Sequence, residues 1–287
     1  MRLLGPAALD GHLTLDDDLV VEADNLAVLP LLPDGAFDLV YIDPPFNTGR
    51  RRVHRRLETV ADPAGERSGF GGRRYRSRLL DALAYDDAYA DYLGFLAPRL
   101  EHARRVLAPH GTLYFHIDYR EAHYCKLLLD ELFGRDAFLN EIVWAYDYGG
   151  KPRDRWPAKH DTILVYVREP GAHHFDAEAV DREPYMAPGL VTPEQRERGK
   201  RPTDTWWHTI VATSGAERTG YPTQKPEGVV RRMVAASSRP GGWCLDFFAG
   251  SGTLGAVCAA LGRRFVLVDS NPEAIAVMRR RLGPAAP

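Results

Sequence analysis

Ten residues near the C-terminal end, 246–255, read DFFAGSGTLG. Gly250, Gly252 and Gly255 form a G-x-G-x-x-G pattern between a strand-like run, WCLDFF (243–248), and a helical one, GTLGAVCAALG (252–262). Glycines at that spacing let a strand turn sharply into a helix and let a ligand approach the backbone closely. The next strand-like run, RFVLVD (264–269), ends on Asp269, where a carboxylate can accept hydrogen bonds from ribose hydroxyls. Such a turn usually opens a nucleotide-binding sheet, yet only one helix, PEAIAVMRRRL (272–282), fits before Pro287. The other strands of the sheet must then precede residue 240, and a circularly permuted fold is expected.

Upstream, β-rich and helical runs alternate. LVVEAD (19–24) and FDLVYID (37–43) predict strands, with NLAVLPLL as a short helix start between them. Apolar residues recur at helical spacing from Tyr89 to Leu107, interrupted only by Pro98. TLYFHI (112–117) predicts a strand, and EAHYCKLLLDELFG (121–134) a helix closed by Gly134. EIVWAY (141–146) and TILVYV (162–167) predict strands and EGVVRRMVAASS (227–238) a helix. This alternation implies an α/β fold, a mostly parallel twisted sheet with helices on both faces. Between about 168 and 220 periodicity fails and prolines, glycines and charges accumulate, which predicts an inserted surface region.

Composition narrows the function classes. At 287 residues, 45% of them hydrophobic, the chain can bury a sizeable core. No run of about eighteen apolar residues occurs and the N-terminus lacks a secretory-type apolar stretch, so a soluble, cytoplasmic protein with no membrane partner is expected. Cys125, Cys244 and Cys258 are scattered, His173 and His174 are adjacent, and no H-E-x-x-H pattern appears; no metal site is expected. The net charge of -2 argues against a uniformly basic surface, but residues 50–78 hold many arginines against only Glu58, Asp62 and Glu66. That stretch is a candidate phosphate-contacting loop, with a solvated, partly disordered segment as the alternative.

A second motif, DPPFNTG (43–49), follows the strand that ends at Asp43. Open parallel sheets bind ligands at that edge. Its chemistry suits methylation of an exocyclic amine on a nucleobase. The amine lone pair is delocalised into the ring, and acceptors on its two N–H bonds localise it; the Asp43 carboxylate and the Pro44 carbonyl supply two. Pro44 and Pro45 restrict the backbone that holds those acceptors, and Phe46 can stack on a base rotated out of the duplex. A C5-cytosine mechanism would need a cysteine nucleophile in a proline-containing loop, and none of the cysteines has that setting.

These motifs together resemble the S-adenosylmethionine-dependent DNA amino-methyltransferases, in the subgroup whose DPPF catalytic motif precedes the F-x-G-x-G cofactor motif (beta class). DPPFNTG resembles the catalytic motif, LDFFAGSGT (245–253) the cofactor loop, ERTGYPTQKP (217–226) the segment before it, and NEIVWAY and KHDTILVY (159–166) the core strands around the base pocket. The resemblance implies one Rossmann-like methyltransferase domain over residues 1–287, with an arginine-rich loop insertion at 50–84 and a target-recognition region at 168–216. It implies that Asp246 and the loop Phe248, Ala249, Gly250, Ser251, Gly252 and Thr253 surround the cofactor's methionine and sugar. Asp269 would take the ribose hydroxyls, Asp24 the adenine edge, and Thr223 and Lys225 the methionine carboxylate. Phe247 stands where the family commonly has proline, and Leu254 replaces a frequent second threonine.

The implied reaction is base flipping and direct methyl transfer to adenine N6 in double-stranded DNA, with S-adenosylhomocysteine as product and no metal. Cytosine N4 is the alternative, since Asp at the motif head favours adenine and Ser would lean toward cytosine. A homodimer and a cognate restriction endonuclease are the further partners the resemblance brings in. Two readings from other classes are a nicotinamide oxidoreductase, which leaves DPPF unexplained, and a non-catalytic DNA-binding module. For Trp206 and Trp207, DNA contact and simple core packing stay open.

Overall fold

The computed structural model describes residues 1–9, 11–47, 50–61, 67–68, 74–87, 89–212 and 214–283. Thr48 and Gly49 of the DPPFNTG motif, and parts of the arginine-rich stretch, lie outside them. In chain order the strands are β1 (Arg2–Leu4), β2 (Leu19–Glu22), β3 (Phe37–Ile42), β4 (Arg50–Ala61), β5 (Arg67–Ser68), β6 (Arg74–Asp87), β7 (Leu107–Asp118), β8 (Phe138–Ala145), β9 (His160–Val167), β10 (Thr205–Trp207), β11 (Trp243–Asp246) and β12 (Arg264–Asp269). The helices are α1 (Asn25–Val28), α2 (Tyr92–Val106), α3 (Ala122–Phe133), α4 (Pro193–Arg198), α5 (Glu227–Ser237), α6 (Thr253–Leu261) and α7 (Pro272–Leu282). They form two compact units, Met1–Pro44 with Leu93–Pro287, and Pro45–Tyr92.

The larger unit is built on a nine-stranded sheet of order β1-β2-β12-β11-β3-β7-β9-β8-β10. From β1 to β7 every neighbouring pair is parallel. β9 runs antiparallel to both β7 and β8, and β10 joins β8 in parallel. The C-terminal pair β11 and β12 thus sits in the middle of the sheet, between β3 and β2, as the position of the glycine turn required. β3 is buried along its whole length, so its sequence is apolar rather than alternating except at Asp38, which lies 2.9 Å from His110 Nε2 and accepts the Arg239 N–H.

Side-chain alternation sorts the strands onto two faces. Leu39 and Tyr41 of β3, Tyr114 of β7, Ile142 and Trp144 of β8, and Ile163 and Val165 of β9 form one core cluster with α5, α6 and α7. The third glycine of the turn serves this packing: a Cβ on Gly255 would lie 2.7 Å from Leu267 Cδ1 and 3.2 Å from Leu282 Cδ1. Phe247 and Leu254, the two departures from the family pattern, are both buried in the core.

Two segments differ from the sequence expectation. The arginine-rich stretch, predicted as a loop, holds β4 paired antiparallel with β6, from Arg50↔Asp87 to Ala61↔Tyr75, with a register shift between Arg56 and Leu57. Strand pairing satisfies backbone groups whatever the side-chain charge, so arginine content did not forbid it. Within 168–216, α4 is closed by a capping box of Thr192 and Gln195, and β10 extends the main sheet instead of standing apart on the surface. Three residues are too few to show a period. No helix among the described residues is long and apolar enough to cross a membrane.

Candidate active site

The parallel strands β2, β12, β11, β3 and β7 deliver an acidic residue to one edge of the sheet. Asp269, Asp246 and Asp118 end their strands, Asp43 follows β3 directly, and Asp24 lies just past β2. β9 runs the other way and starts at this edge, so Asp161 sits there as the register partner of Asp118.

β11 stops at Asp246, two residues earlier than its apolar run, because the Asp246 carboxylate accepts the Phe248 backbone N–H at 2.9 Å and turns the chain. Gly250 and Gly252 then adopt positive φ, +49° and +70°, conformations open to glycine. A Cβ on Gly250 would approach the Tyr221 ring to 3.1 Å, and one on Gly252 would meet Met278 Cγ at 2.6 Å. Asp269 accepts the Gly250 N–H through one oxygen, 2.8 Å, and the Asn271 N–H through the other, 2.8 Å. Each oxygen keeps a second lone pair.

The side chains of Ser251 and Thr253 are buried and hold the turn together. Their hydroxyls lie 3.1 Å apart, Thr253 Oγ1 donates to the Lys225 carbonyl at 3.1 Å, and Arg281 donates to Thr253 Oγ1 at 3.0 Å. Burial pushes the Asp246 carboxyl well above the usual range; the charges of Asp43 and Asp269 add to this, while the Phe248 N–H and Lys225 oppose it. Burial likewise raises Asp269, against its two backbone hydrogen bonds.

Asp24 is the N-cap of α1, accepting the Leu26 N–H at 2.8 Å with most of its side chain exposed. Next to it Asn25 is buried, donating to the Phe247 carbonyl at 2.9 Å and accepting from Arg99 Nε at 2.7 Å. The Arg99 guanidinium lies 3.8 Å over the Phe95 ring, whose centroid is 6.1 Å from that of Phe248. Thr223 is exposed on the turn before α5. Asn25, Phe95, Arg99 and Arg281 were absent from the sequence reading; a polar residue against an apolar helix start was the one local signal, at Asn25.

Around Asp43 the structure departs most from expectation. Lys225 Nζ ion-pairs with Asp43 Oδ2, so the lysine expected on the cofactor carboxylate is joined to the catalytic-motif aspartate. The other oxygen, Oδ1, is buried and lies 4.0 Å from His116 Nδ1. His116 is fully buried, with Tyr41 Oη 3.0 Å from Nδ1 and Asp161 Oδ2 3.1 Å from Nε2. Tyr146 Oη donates to Asp161 Oδ1 at 3.0 Å. Burial works to raise the Asp161 carboxyl, but hydrogen bonding and charge from His116, then Lys225 and Tyr146, hold it below the usual carboxylate range. Pro44 closes the larger unit and Pro45 opens the smaller one, where Tyr92 Oη donates to the Pro45 carbonyl at 2.6 Å.

The tryptophan pair splits. Trp206 is buried and donates its indole N–H to the Thr203 carbonyl at 2.7 Å, whereas Trp207 is 73% exposed. Strand alternation alone places the two on opposite sides.

The family described as DNA methylase, of N6 and N4 methyltransferases, matches residues 37–280. The chain is 31% identical over 269 residues to the type II methyltransferase M.HpaI of Haemophilus parainfluenzae, covering 93% of this chain and 74% of that one. It is 29% identical over 275 residues to the DNA adenine methyltransferase YhdJ of Escherichia coli (strain K12), covering 93% and 83%. Among solved structures it is similar to PvuII DNA methyltransferase (cytosine-N4-specific), with a TM-score of 0.64 over 94% of this chain and 88% of that one, at 14% identity.

Proposed function

The chain belongs to the DNA methylase family of N6 and N4 methyltransferases, and from that premise we propose that it transfers a methyl group from S-adenosylmethionine to adenine N6 in double-stranded DNA. The observation that carries this reading is the adjacency of β11 and β3: as parallel neighbours, they release the glycine turn and Asp43 side by side at one edge. A donor held by the turn then presents its methyl group to an amine held by Asp43.

In this reading Asp43 and the Pro44 carbonyl accept the two amine N–H bonds, Pro45 stiffens the motif, and Phe46 stacks on the flipped base. The nitrogen lone pair attacks the methyl carbon, the C–S bond breaks with its electrons on sulfur, and S-adenosylhomocysteine remains. The fit of the cofactor rests on the turn at Gly250 and Gly252, whose positive φ and close packing on Tyr221 and Met278 hold its backbone in place. Asp246, Phe248, Ala249, Ser251 and Thr253 shape that turn, Asp269 offers its remaining lone pairs to the ribose hydroxyls, and Asp24 its exposed oxygen to adenine. Thr223 meets the methionine carboxylate, and Lys225 reaches it by sharing its ammonium with Asp43.

Adenine is favoured over cytosine by Asp at the head of the motif and by the name of YhdJ. Cytosine N4 is the second reading, favoured by the cytosine-N4 specificity in PvuII's name. DNA contact is assigned to the arginine-rich residues 50–84 and to 168–216, where Trp207 stands exposed. A restriction endonuclease sharing the recognition sequence would accompany a type II enzyme of this kind.

Incubation with unmethylated genomic DNA and labelled S-adenosylmethionine, followed by nucleoside analysis, is expected to yield N6-methyladenine. N4-methylcytosine would replace the first reading with the second, and no label in either base would overturn both.

Asp246→Asn is expected to have opposite effects on stability and binding. The raised carboxyl costs stability at neutral pH, and this cost falls away as pH drops from its raised folded value to the ordinary carboxylate range. The amide keeps the acceptor for the Phe248 N–H without the buried charge. Thermal melts at pH 7 should show the variant more stable than the wild type, with the gap closing on acidification. Calorimetry should show S-adenosylmethionine bound at least ~10-fold more weakly, the scale of one lost hydrogen bond to a charged group.

A further inference from the structure

We propose that His116 is a positioning residue behind Asp43, which takes up the proton that Asp43 receives from the methylated amine and so restores the carboxylate. This rests on the amino-methyltransferase reading above and adds to it a group that no motif marks.

Three observations carry it. Asp43 Oδ1 is buried, accepts no hydrogen bond among the described residues, and lies 4.0 Å from His116 Nδ1. A buried carboxylate oxygen left without a donor is costly, and a ring protonated at Nδ1 would supply one. The second is the orientation of the ring. Tyr41 is kept protonated by burial and by the nearby charges of Asp43, Asp246 and Asp161, so its hydroxyl donates to Nδ1 at 3.0 Å. The ring proton then sits on Nε2 and points to Asp161, assigned from the hydrogen-bond network, and the Nδ1 lone pair is held by the Tyr41 hydroxyl with Asp43 Oδ1 4.0 Å away.

The third is charge. Asp43 and Asp161 with Lys225 leave one negative charge unbalanced, with the buried Asp246 beside them, so the imidazolium formed on proton uptake is stabilised by the carboxylates on either side. Tyr146 donates to the far oxygen of Asp161, and the Trp144 ring packs edge-on against the imidazole with centroids 5.5 Å apart, so the ring is held in place. A core histidine with a purely structural duty would not need a carboxylate on either side.

The amine lone pair forms the N–C bond and the C–S bond electrons pass to sulfur. The positive nitrogen releases its proton to Asp43, and the N–H electrons return to the nitrogen as its ring-conjugated lone pair. Rotation of the Asp43 carboxyl brings the proton to the His116 side, and it passes to His116 Nδ1, which requires the 4.0 Å separation to shorten by about 1 Å as the Tyr41 hydroxyl yields its place. This leaves Asp43 ionised and the imidazolium paired with Asp161; after product release the proton returns through Asp43 to water.

The test compares the wild type with His116→Gln and Asp161→Asn in multiple-turnover methyl transfer from about pH 5 to 9, with calorimetry of S-adenosylmethionine binding. His116→Gln should slow transfer at least ~10-fold, leave cofactor affinity within about twofold, and lose the acid limb of the wild-type profile. Asp161→Asn, which keeps the shape, should move that limb to lower pH because the imidazolium loses its counter-charge. A wild-type rate, or a slowed rate with the same acid limb, in His116→Gln would overturn the proposal. Ring ¹⁵N shifts provide an arm independent of activity: the titration of His116 should move in Asp43→Asn, and an unmoved titration overturns the proposal even if His116→Gln fails to fold. A wild type that methylates no DNA, yet shows this coupling, would refute the reaction and leave the Asp43–His116 link standing.

Discussion

Asp43→Ala is expected to slow methyl transfer by at least about 10²–10³-fold while S-adenosylmethionine affinity stays within a few-fold. The magnitude follows from removing a preorganised acceptor where charge develops on the amine, an effect of that order in comparable sites. The proposed cofactor cradle is formed by β11, β12 and the glycine turn, whose hydrogen bonds run through Asp246 and Asp269 rather than Asp43. The loss should therefore fall on the chemical step. Radiometric transfer and calorimetry on the same preparation measure the two quantities. The isosteric Asp43→Asn keeps one acceptor oxygen but removes the charge that pairs with Lys225, and its rate should lie between the two. Near wild-type turnover in the alanine variant would remove Asp43 from the mechanism.

Gly252→Val carries the second large effect, on folding and binding together. At φ +70° a β-branched residue is strained, and the added Cβ would sit 2.6 Å from Met278 Cγ, inside the contact between the turn and α7. Overpacking with backbone strain costs roughly 2–4 kcal/mol, which in a chain of this size lowers the melting temperature by about 5–10 °C. Cofactor binding should fall below detection in calorimetry, because relief of the clash must move the turn. A melting temperature within about 2 °C of the wild type would show that α7 yields more easily than this packing implies.

Legibility in the sequence followed locality. WCLDFF, the glycine turn and RFVLVD could be read because strand, turn and helix each leave a signature within about ten residues. The predicted helix at 272–282 and strand at 264–269 have those bounds in the structure. The DPPF motif was equally plain, since two prolines after a buried strand are informative by themselves. By contrast, β10 is three residues long, too short for alternation to register, and β4 and β6 were hidden by a composition that reads as solvated chain.

The surroundings of Asp43 illustrate the other limit. Asp43 and Lys225 are 182 residues apart, and His116 and Asp161 are 45 apart. His116 lies within a run already read as a strand, TLYFHI, but nothing local says which face it occupies or what it meets. Tyr41 on β3 and Asp161 on β9 reach His116 because β7 lies between those strands, parallel to one and antiparallel to the other. That order is a property of the sheet, not of any one segment.

The sequence by itself determined the α/β class, the permuted order of the two motifs and the residue types at the strand ends, because these depend on short-range alternation and backbone preference. Only the tertiary structure decided that Lys225 pairs with Asp43, that His116 and Asp161 lie behind it, and that Trp206 is buried while Trp207 is exposed. Those outcomes depend on strand order and register, which bring distant residues within hydrogen-bond reach and are settled by packing of the whole sheet.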